Sequence, residues 1–299
     1  MAKIATVSME SDPRSKDANL AKMKAFACDA ARQGAELVLF PEESLTGVGT
    51  EGMYMVCGDD KRYICEVAEH VPAGPSTQEL MELAREQGIY ICWGMAERDE
   101  DRSDVTYNTM VLVGPEGYVG KYRKVHLPLC ERLLHYPGRD GYKVFDTSIG
   151  KVGIEICYDI CFPEVARSLA LQGAQIILSQ TGWPNLTGKE DDPDHLVVDV
   201  FHRARANENM VVVVSSNLSG KNFNGCSAIY GPTAGQVFAS TGPDESMVVA
   251  DVDVAGEIER ARTFSMGGSN LVKDRKPGTY RALVEDSPYC PEFGAAVCL

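Results

Sequence analysis

Two stretches of the chain alternate a short apolar run with a segment of helical period, and this alternation limits the fold more than any other feature. In the first, Lys3 to Met9 alternates and is rich in β-formers. Lys16 to Gln33 then places Leu20, Met23, Phe26, Ala27 and Ala30 at helical spacing, Gly34 closes it, and Glu36 to Phe40 is apolar up to Pro41. Two strands joined by a helix of this length lie parallel with a right-handed crossover. In the second, a helix from Pro163 to Gly173 leads to the strand Gln175–Ser179, and a helix from about Asp194 to Asn209 leads to the strand Val211–Ser216.

The segments between fill out the same plan. Ser76 and Glu79 have capping-box spacing at the head of a helix running to Gln87, and Ile89–Gly94 is a buried strand. Val105–Val113 and Tyr118–Lys124 form one hairpin; Tyr142–Thr147 and Lys151–Ile156 form another. Short strands near 226–230, 236–239 and 247–252 precede a helix near 255–262. Residues 50–72, with Met53, Tyr54, Met55 and Cys57, read as a partly apolar loop, and Glu131–Gly138 reads as a loop. The two halves share a layout, so the expected fold class is α/β, two sheets packed face to face with helices outside. No linker divides residues 1–270. Residues 271–299, with Pro277, Pro288, Pro291 and Gly294, read as an extended tail that needs a surface to lie against.

Composition excludes several functions. A formal net charge of −14 disfavours nucleic acid and anionic membrane as partners. No apolar run approaches a membrane span, and the N-terminus enters a strand pattern without a signal-peptide core, so a cytoplasmic location is expected. The ten cysteines include no C-x-x-C pair, which fits reduced thiols. The five histidines show no zinc-site spacing, so no metal is expected.

Chemistry concentrates at three strand ends, where open α/β sheets place their ligands. Glu42 and Glu43 follow the strand closed by Pro41, Lys124 ends Tyr118–Lys124, and Cys157 lies between the strand ending at Ile156 and the helix opened by Pro163. A thiol on such a turn is exposed to backbone N–H groups, although a cysteine is also often mere packing. Loop carboxylates and a strand-end lysine are equally common as solvated charge. No G-x-S-x-G, P-loop or G-x-G-x-x-G pattern competes. A carboxylate, an amine and a thiol can serve as base, cationic stabiliser and nucleophile.

The blocks Leu37-Val-Leu-Phe-Pro-Glu42, Tyr122-Arg-Lys-Val-His-Leu127 and Gly153-Ile-Glu-Ile-Cys-Tyr-Asp159 followed by Phe162-Pro-Glu164 resemble the three signatures of the nitrilase, or carbon–nitrogen hydrolase, superfamily. Tyr107-Asn108-Thr109, Arg205–Asn209, Phe223–Ser227 and Asp274–Pro277 extend the likeness over most of the chain. The resemblance implies a four-layer αββα sandwich of two mixed sheets that pairs as a homodimer. It assigns Glu42 as general base, Lys124 as stabiliser of the tetrahedral intermediate and Cys157 as nucleophile, with no cofactor. Glu131, seven residues before Gly138, matches a second glutamate that holds the lysine and positions substrate. The Tyr158 N–H is a candidate oxyanion donor. The lysine is also expected to lower the thiol pKa.

Cys157-Tyr-Asp resembles amidases and carbamoyl hydrolases more than nitrilases, which more often carry Cys-Trp-Glu. A small amide is the expected substrate, with ammonia released; an N-carbamoyl amine or amino acid is the alternative. The Cys157 block lacks Arg or Lys, which favours neutral or cationic substrates. Trp183 is placed either to wall the pocket or to pack in the core. Cys161 reads as packing, His126 as a solvated strand-end histidine, and Glu155 as a buried carboxylate in need of a partner. A papain-like Cys–His pair and a pseudo-enzyme that keeps the scaffold are the rival readings.

Overall fold

A computed structural model describes residues 1–47, 58–128, 131–185, 193–220, 222–263 and 265–285. In order the elements are β1 (Ala2–Ser8), α1 (Lys16–Arg32), β2 (Leu37–Leu39), α2 (Gly58–Val67), α3 (Pro75–Gln87), β3 (Tyr90–Arg98), β4 (Thr106–Gly114), β5 (Gly117–Arg123), α4 (Glu131–Leu134), β6 (Val144–Thr147), β7 (Gly150–Ile156), α5 (Pro163–Leu171), β8 (Ile176–Thr181), α6 (Pro193–Asn209), β9 (Val212–Asn217), β10 (Ala228–Tyr230), β11 (Val237–Ser240), β12 (Ser246–Val252) and α7 (Val254–Thr263).

The crossover strands form parallel centres. One six-stranded sheet has the order β12-β1-β2-β3-β4-β5 and the other β11-β10-β9-β8-β7-β6. In each, three central strands run parallel (β1, β2, β3; β7, β8, β9) and the hairpins add antiparallel margins. Period-two alternation then divides the side chains. Ile4, Leu37, Leu39, Met110, Ile154, Ile156, Leu178 and Val214 meet between the sheets. The opposite face of the first sheet packs on α1 and α3 through Val38, Ile91, Met23 and Leu80; that of the second packs on α5 and α6 through Ile177, Val213, Leu169 and Ala206. The result is the expected αββα sandwich, built of two mixed sheets. Buried hydroxyls tie the layers: Thr6 donates to the Ser215 carbonyl and Ser216 to the Val7 carbonyl, each at 2.6 Å.

The sheets come very close beside β3. A methyl group on Gly94 would lie 2.3 Å from the Glu43 amide nitrogen and 2.8 Å from Gln180 Oε1, so this position accepts only glycine.

Three local expectations change. The stretch 58–67 is a helix, docked through the buried Ile64, with Ala68 just beyond it, against Ala96; it is only ten residues long and follows directly on the apolar run 53–57, which hides its start. Met53, Tyr54, Met55 and Cys57 lie outside the described residues. The Ser76/Glu79 capping box does not form. Gly74 is the N-cap, Pro75 opens α3, and Glu69 accepts from the Ser76 N–H and hydroxyl at 2.9 and 2.7 Å, while Glu79 pairs with Lys24 on α1. A carboxylate from outside the helix thus satisfies its amino end. Finally, residues 131–134 form a single helical turn rather than open loop. In the described part of the tail, Leu271, Arg275, Tyr280 and Leu283 face Pro163, Arg167 and Glu208 across a cavity of about 430 Å³.

Candidate active site

The register explains why distant residues meet. β2 and β5 run in the same direction within the first sheet, as do β7 and β8 in the second. Their carboxyl ends deliver Glu42, Lys124, Cys157 and Gly182. Lys124 is fully buried, and its Nζ lies 2.6 Å from Glu42 Oε1 and 2.7 Å from Glu131 Oε2. Asn108 on β4 completes the frame, its Nδ2 donating at 2.8 Å to both Glu42 Oε1 and Glu131 Oε1. One oxygen of Glu42 is therefore held by two donors. Among the described residues the other, Oε2, accepts no hydrogen bond, and the Cys157 thiol lies beside this carboxylate.

Cys157 occupies a left-handed backbone conformation, φ 47°, between β7 and a 3-10 turn over Cys157–Cys161. That geometry costs a non-glycine residue about 1–2 kcal/mol and reverses the chain sharply enough to present Sγ at the strand end. Asp159 holds the turn, its Oδ2 accepting from the Ile156 N–H at 3.1 Å and the Tyr122 hydroxyl at 2.8 Å. The Gly182 N–H lies close enough to the Cys157 sulfur to favour its charged form. A side chain on Gly182 would press on Glu42 Oε2, so glycine keeps the amide close.

Electrostatics corrects one expectation. Burial, and then the charge of Glu42, hold the Cys157 thiol well above its ordinary pKa; Lys124 and the Gly182 N–H oppose this but do not win. The resting sulfur is thus a thiol, and activation falls to proton transfer rather than to a standing thiolate. Burial alone would lower the pKa of Lys124, but Glu131 and Glu42 keep it well above the ordinary lysine value. Burial raises the Glu131 carboxyl and Glu42 adds to this, while Lys124 and His135 pull it back. One ammonium between two buried carboxylates leaves a site that readily takes up one further proton.

The remaining expected site residues fall nearby in different roles. Tyr158 adjoins Cys157 through its backbone, while its ring packs edge-on against Phe162 and lines a neighbouring cavity of about 740 Å³. Trp183 follows Gly182; its N–H donates to Asn217 Oδ1, and its ring packs against the inter-sheet core and, edge-on, Phe201. His126 is not a solvated strand-end residue: its Nδ1 lies 2.8 Å from Asp159 Oδ1 and its ring stacks on Phe162 at 3.9 Å. Glu155 lies beneath the Cys157 turn on the helix-facing side of β7, opposite Ser179, with its carboxyl raised to about 8, first by burial and then by Asp159. Asn108 was legible only as part of a motif, and Gly182 not at all, because both act through geometry across strands. A papain-like pair finds no support in the described histidines that approach the site: Asp159 holds His126, Glu43 faces His135 and Ser179 bonds to His202. Cys28, Cys65, Cys92, Cys157 and Cys161 are free thiols, and among the described residues no cluster of His, Cys, Asp or Glu is arranged to hold a metal ion.

The family model of the carbon-nitrogen hydrolases matches residues 3–262. The chain belongs to this family. Among relatives of this carbon–nitrogen hydrolase, a protein named nitrilase from Pyrococcus abyssi is 37% identical over 85% of this chain and 90% of its own length. An N-carbamoylputrescine amidase from Solanum lycopersicum is 31% identical over 89% of each chain. A variant of the amidase from Nesterenkonia sp. AN1, solved with acrylamide added at its active-site cysteine, shares the fold, with a TM-score of 0.76, 23% identity and coverage of 95% of this chain and 100% of that one.

Proposed function

We propose that this hydrolase cleaves a small amide through a thioester on Cys157, with release of ammonia. The arrangement that carries the reading is Lys124 Nζ clamped between Glu42 and Glu131, with one Glu42 oxygen left to the thiol. Sγ attacks the amide carbon while its proton passes to Glu42. The charge that develops on oxygen is met by Lys124 and the Tyr158 N–H. Glu42 gives the proton to departing ammonia, leaving the thioester. Water then loses a proton to Glu42 as its oxygen attacks, and the acid and the free thiol are restored. No cofactor enters this cycle. With Glu42 and Glu131 buried on either side of Lys124, the site suits neutral or cationic substrates. The likeness to an N-carbamoylputrescine amidase favours N-carbamoyl amines as the second class, hydrolysed to ammonia, carbon dioxide and the amine.

The test is ammonia release from a panel of amides, N-carbamoyl amines and nitriles, with Cys157→Ala as control and intact mass spectrometry for the acyl adduct. Turnover of an amide that persists in Cys157→Ala, or a panel with no turnover at all, would sink the reading. As partner we propose a second copy of the chain, because Leu171, Leu196 and Val200 stand exposed on α5 and α6. Light scattering that shows a monomer at every concentration would remove it. No helix among the described residues is long and apolar enough to cross a membrane.

A further inference from the structure

The Glu43–His135 pair has no part in the steps above. Glu43 follows Glu42 on a turn with φ 45°, and His135 follows α4, its N–H bonded to the Glu131 carbonyl at 2.9 Å. The pair therefore joins the two segments that carry the carboxylates flanking Lys124. Both side chains are buried, and His135 Nε2 lies 2.9 Å from Glu43 Oε1, off the line of the ring N–H, which makes the contact electrostatic rather than a linear hydrogen bond.

Charge explains why such a pair is placed here. Glu42 and Glu131 flank Lys124, and a third buried carboxylate, Glu43, follows Glu42 in the chain and faces His135. Two uncompensated negative charges would be costly at this depth. The His135 ring, 2.9 Å from Glu43 Oε1, is placed to carry the proton that would reduce the excess to one, the single vacancy that Glu42 needs to take the Sγ proton. His135 acts on the Glu131 carboxyl in the sense of a positive charge, against Glu42. The other charged groups close by are committed elsewhere or peripheral. Lys61 and Arg132 donate to the Leu134 and Leu127 carbonyls, and Asp104 is exposed at the rim of the 740 Å³ cavity that His135 also lines. Tyr63, near Glu43, is kept neutral by burial and by the surrounding carboxylates.

We infer that Glu43 and His135 are positioning residues that set the charge of the Glu42–Lys124–Glu131 cluster, His135 supplying the second positive charge and Glu43 holding it in place. This rests on the catalytic reading above, and the test is separable from it. Acrylamide addition to Cys157, followed by peptide mass spectrometry across pH, needs no knowledge of the substrate. Its rate should fall at low pH as the cluster takes up a proton. His135→Gln should move that acid limb upward by about one pH unit, Glu43→Gln should move it downward, and the double variant should return towards the parent, because its charge balance is restored. General loosening of the fold, followed by thermal melting, would not shift the two single variants in opposite directions. An unmoved limb in His135→Gln, or a double variant no nearer the parent, would overturn the inference. A silent ammonia panel with the limb still shifting would sink the proposed reaction and leave the pair's role standing.

Discussion

Two buried ionic clusters hang from the same strands, β4 and β5, on opposite faces. On the outer face Glu97 accepts from Lys121, from Arg123 through both Nε and Nη2, and from Thr109, so every lone pair in reach is used. On the inner face Lys124 and Asn108 bridge Glu42 and Glu131, and one Glu42 oxygen has no such partner among the described residues. Neighbours along the chain are divided between them by the pleat: Asn108 and Lys124 go inward, Thr109 and Arg123 outward. The outer cluster has two cations for one carboxylate and is saturated. The inner one has carboxylates in excess and an acceptor to spare. Saturation makes a brace; an unspent acceptor beside a thiol makes a reaction centre.

Exchanging equivalent members should break this contrast if it is wrong. The largest effect is expected from the lysines. Lys124→Ala should lower kcat/KM on the order of 10³-fold, as removal of an oxyanion donor does. Lys121→Ala should leave kcat/KM unchanged and cost about 1–3 kcal/mol in urea unfolding. Equal losses of activity from both would end the distinction. Next come the adjacent strand residues. Asn108→Ala frees two carboxylates and should lower kcat on the order of 10²-fold with the fold retained. Thr109→Val should cost about 1 kcal/mol of stability and no activity.

The last effect, on stability rather than activity, concerns Glu155, a buried carboxyl in neither cluster. Its folded-state pKa of about 8 lies above the ordinary carboxylate value, so between roughly pH 4.5 and 8 the folded protein holds a proton that the unfolded chain has lost. Stability should therefore decline as pH rises through this window. Glu155→Gln should flatten that decline and be the more stable form at pH 8, with turnover little changed; urea midpoints at pH 5 and pH 8 would check it.

The outer and inner clusters also mark how far the amino-acid sequence could be read. Strand ends are local, so Glu42, Lys124 and Cys157 could be placed at them from apolar runs and punctuation alone. The sandwich followed from two crossover units. Asn108 was visible only as one letter of a motif, since its role depends on a partner strand's register. Glu69 capping α3 and Asp159 holding His126 are contacts across loops that no spacing announces. The thiol's elevated pKa was missed because burial outweighs the nearby ammonium, and depth is a property of the packed molecule. α2 was missed because it is only ten residues long and follows directly on the apolar run 53–57, which masks where it begins.

Gly94 has a bearing on how this hydrolase can change its substrate. Any side chain there would strike the Glu43 amide and, behind it, Gln180, and would shift Glu42 with them. The floor of the site is thus closed to adaptation. Selection for bulkier or differently charged substrates has to work through the segments that rim the strand ends, and variants chosen for new specificity should leave position 94 unaltered.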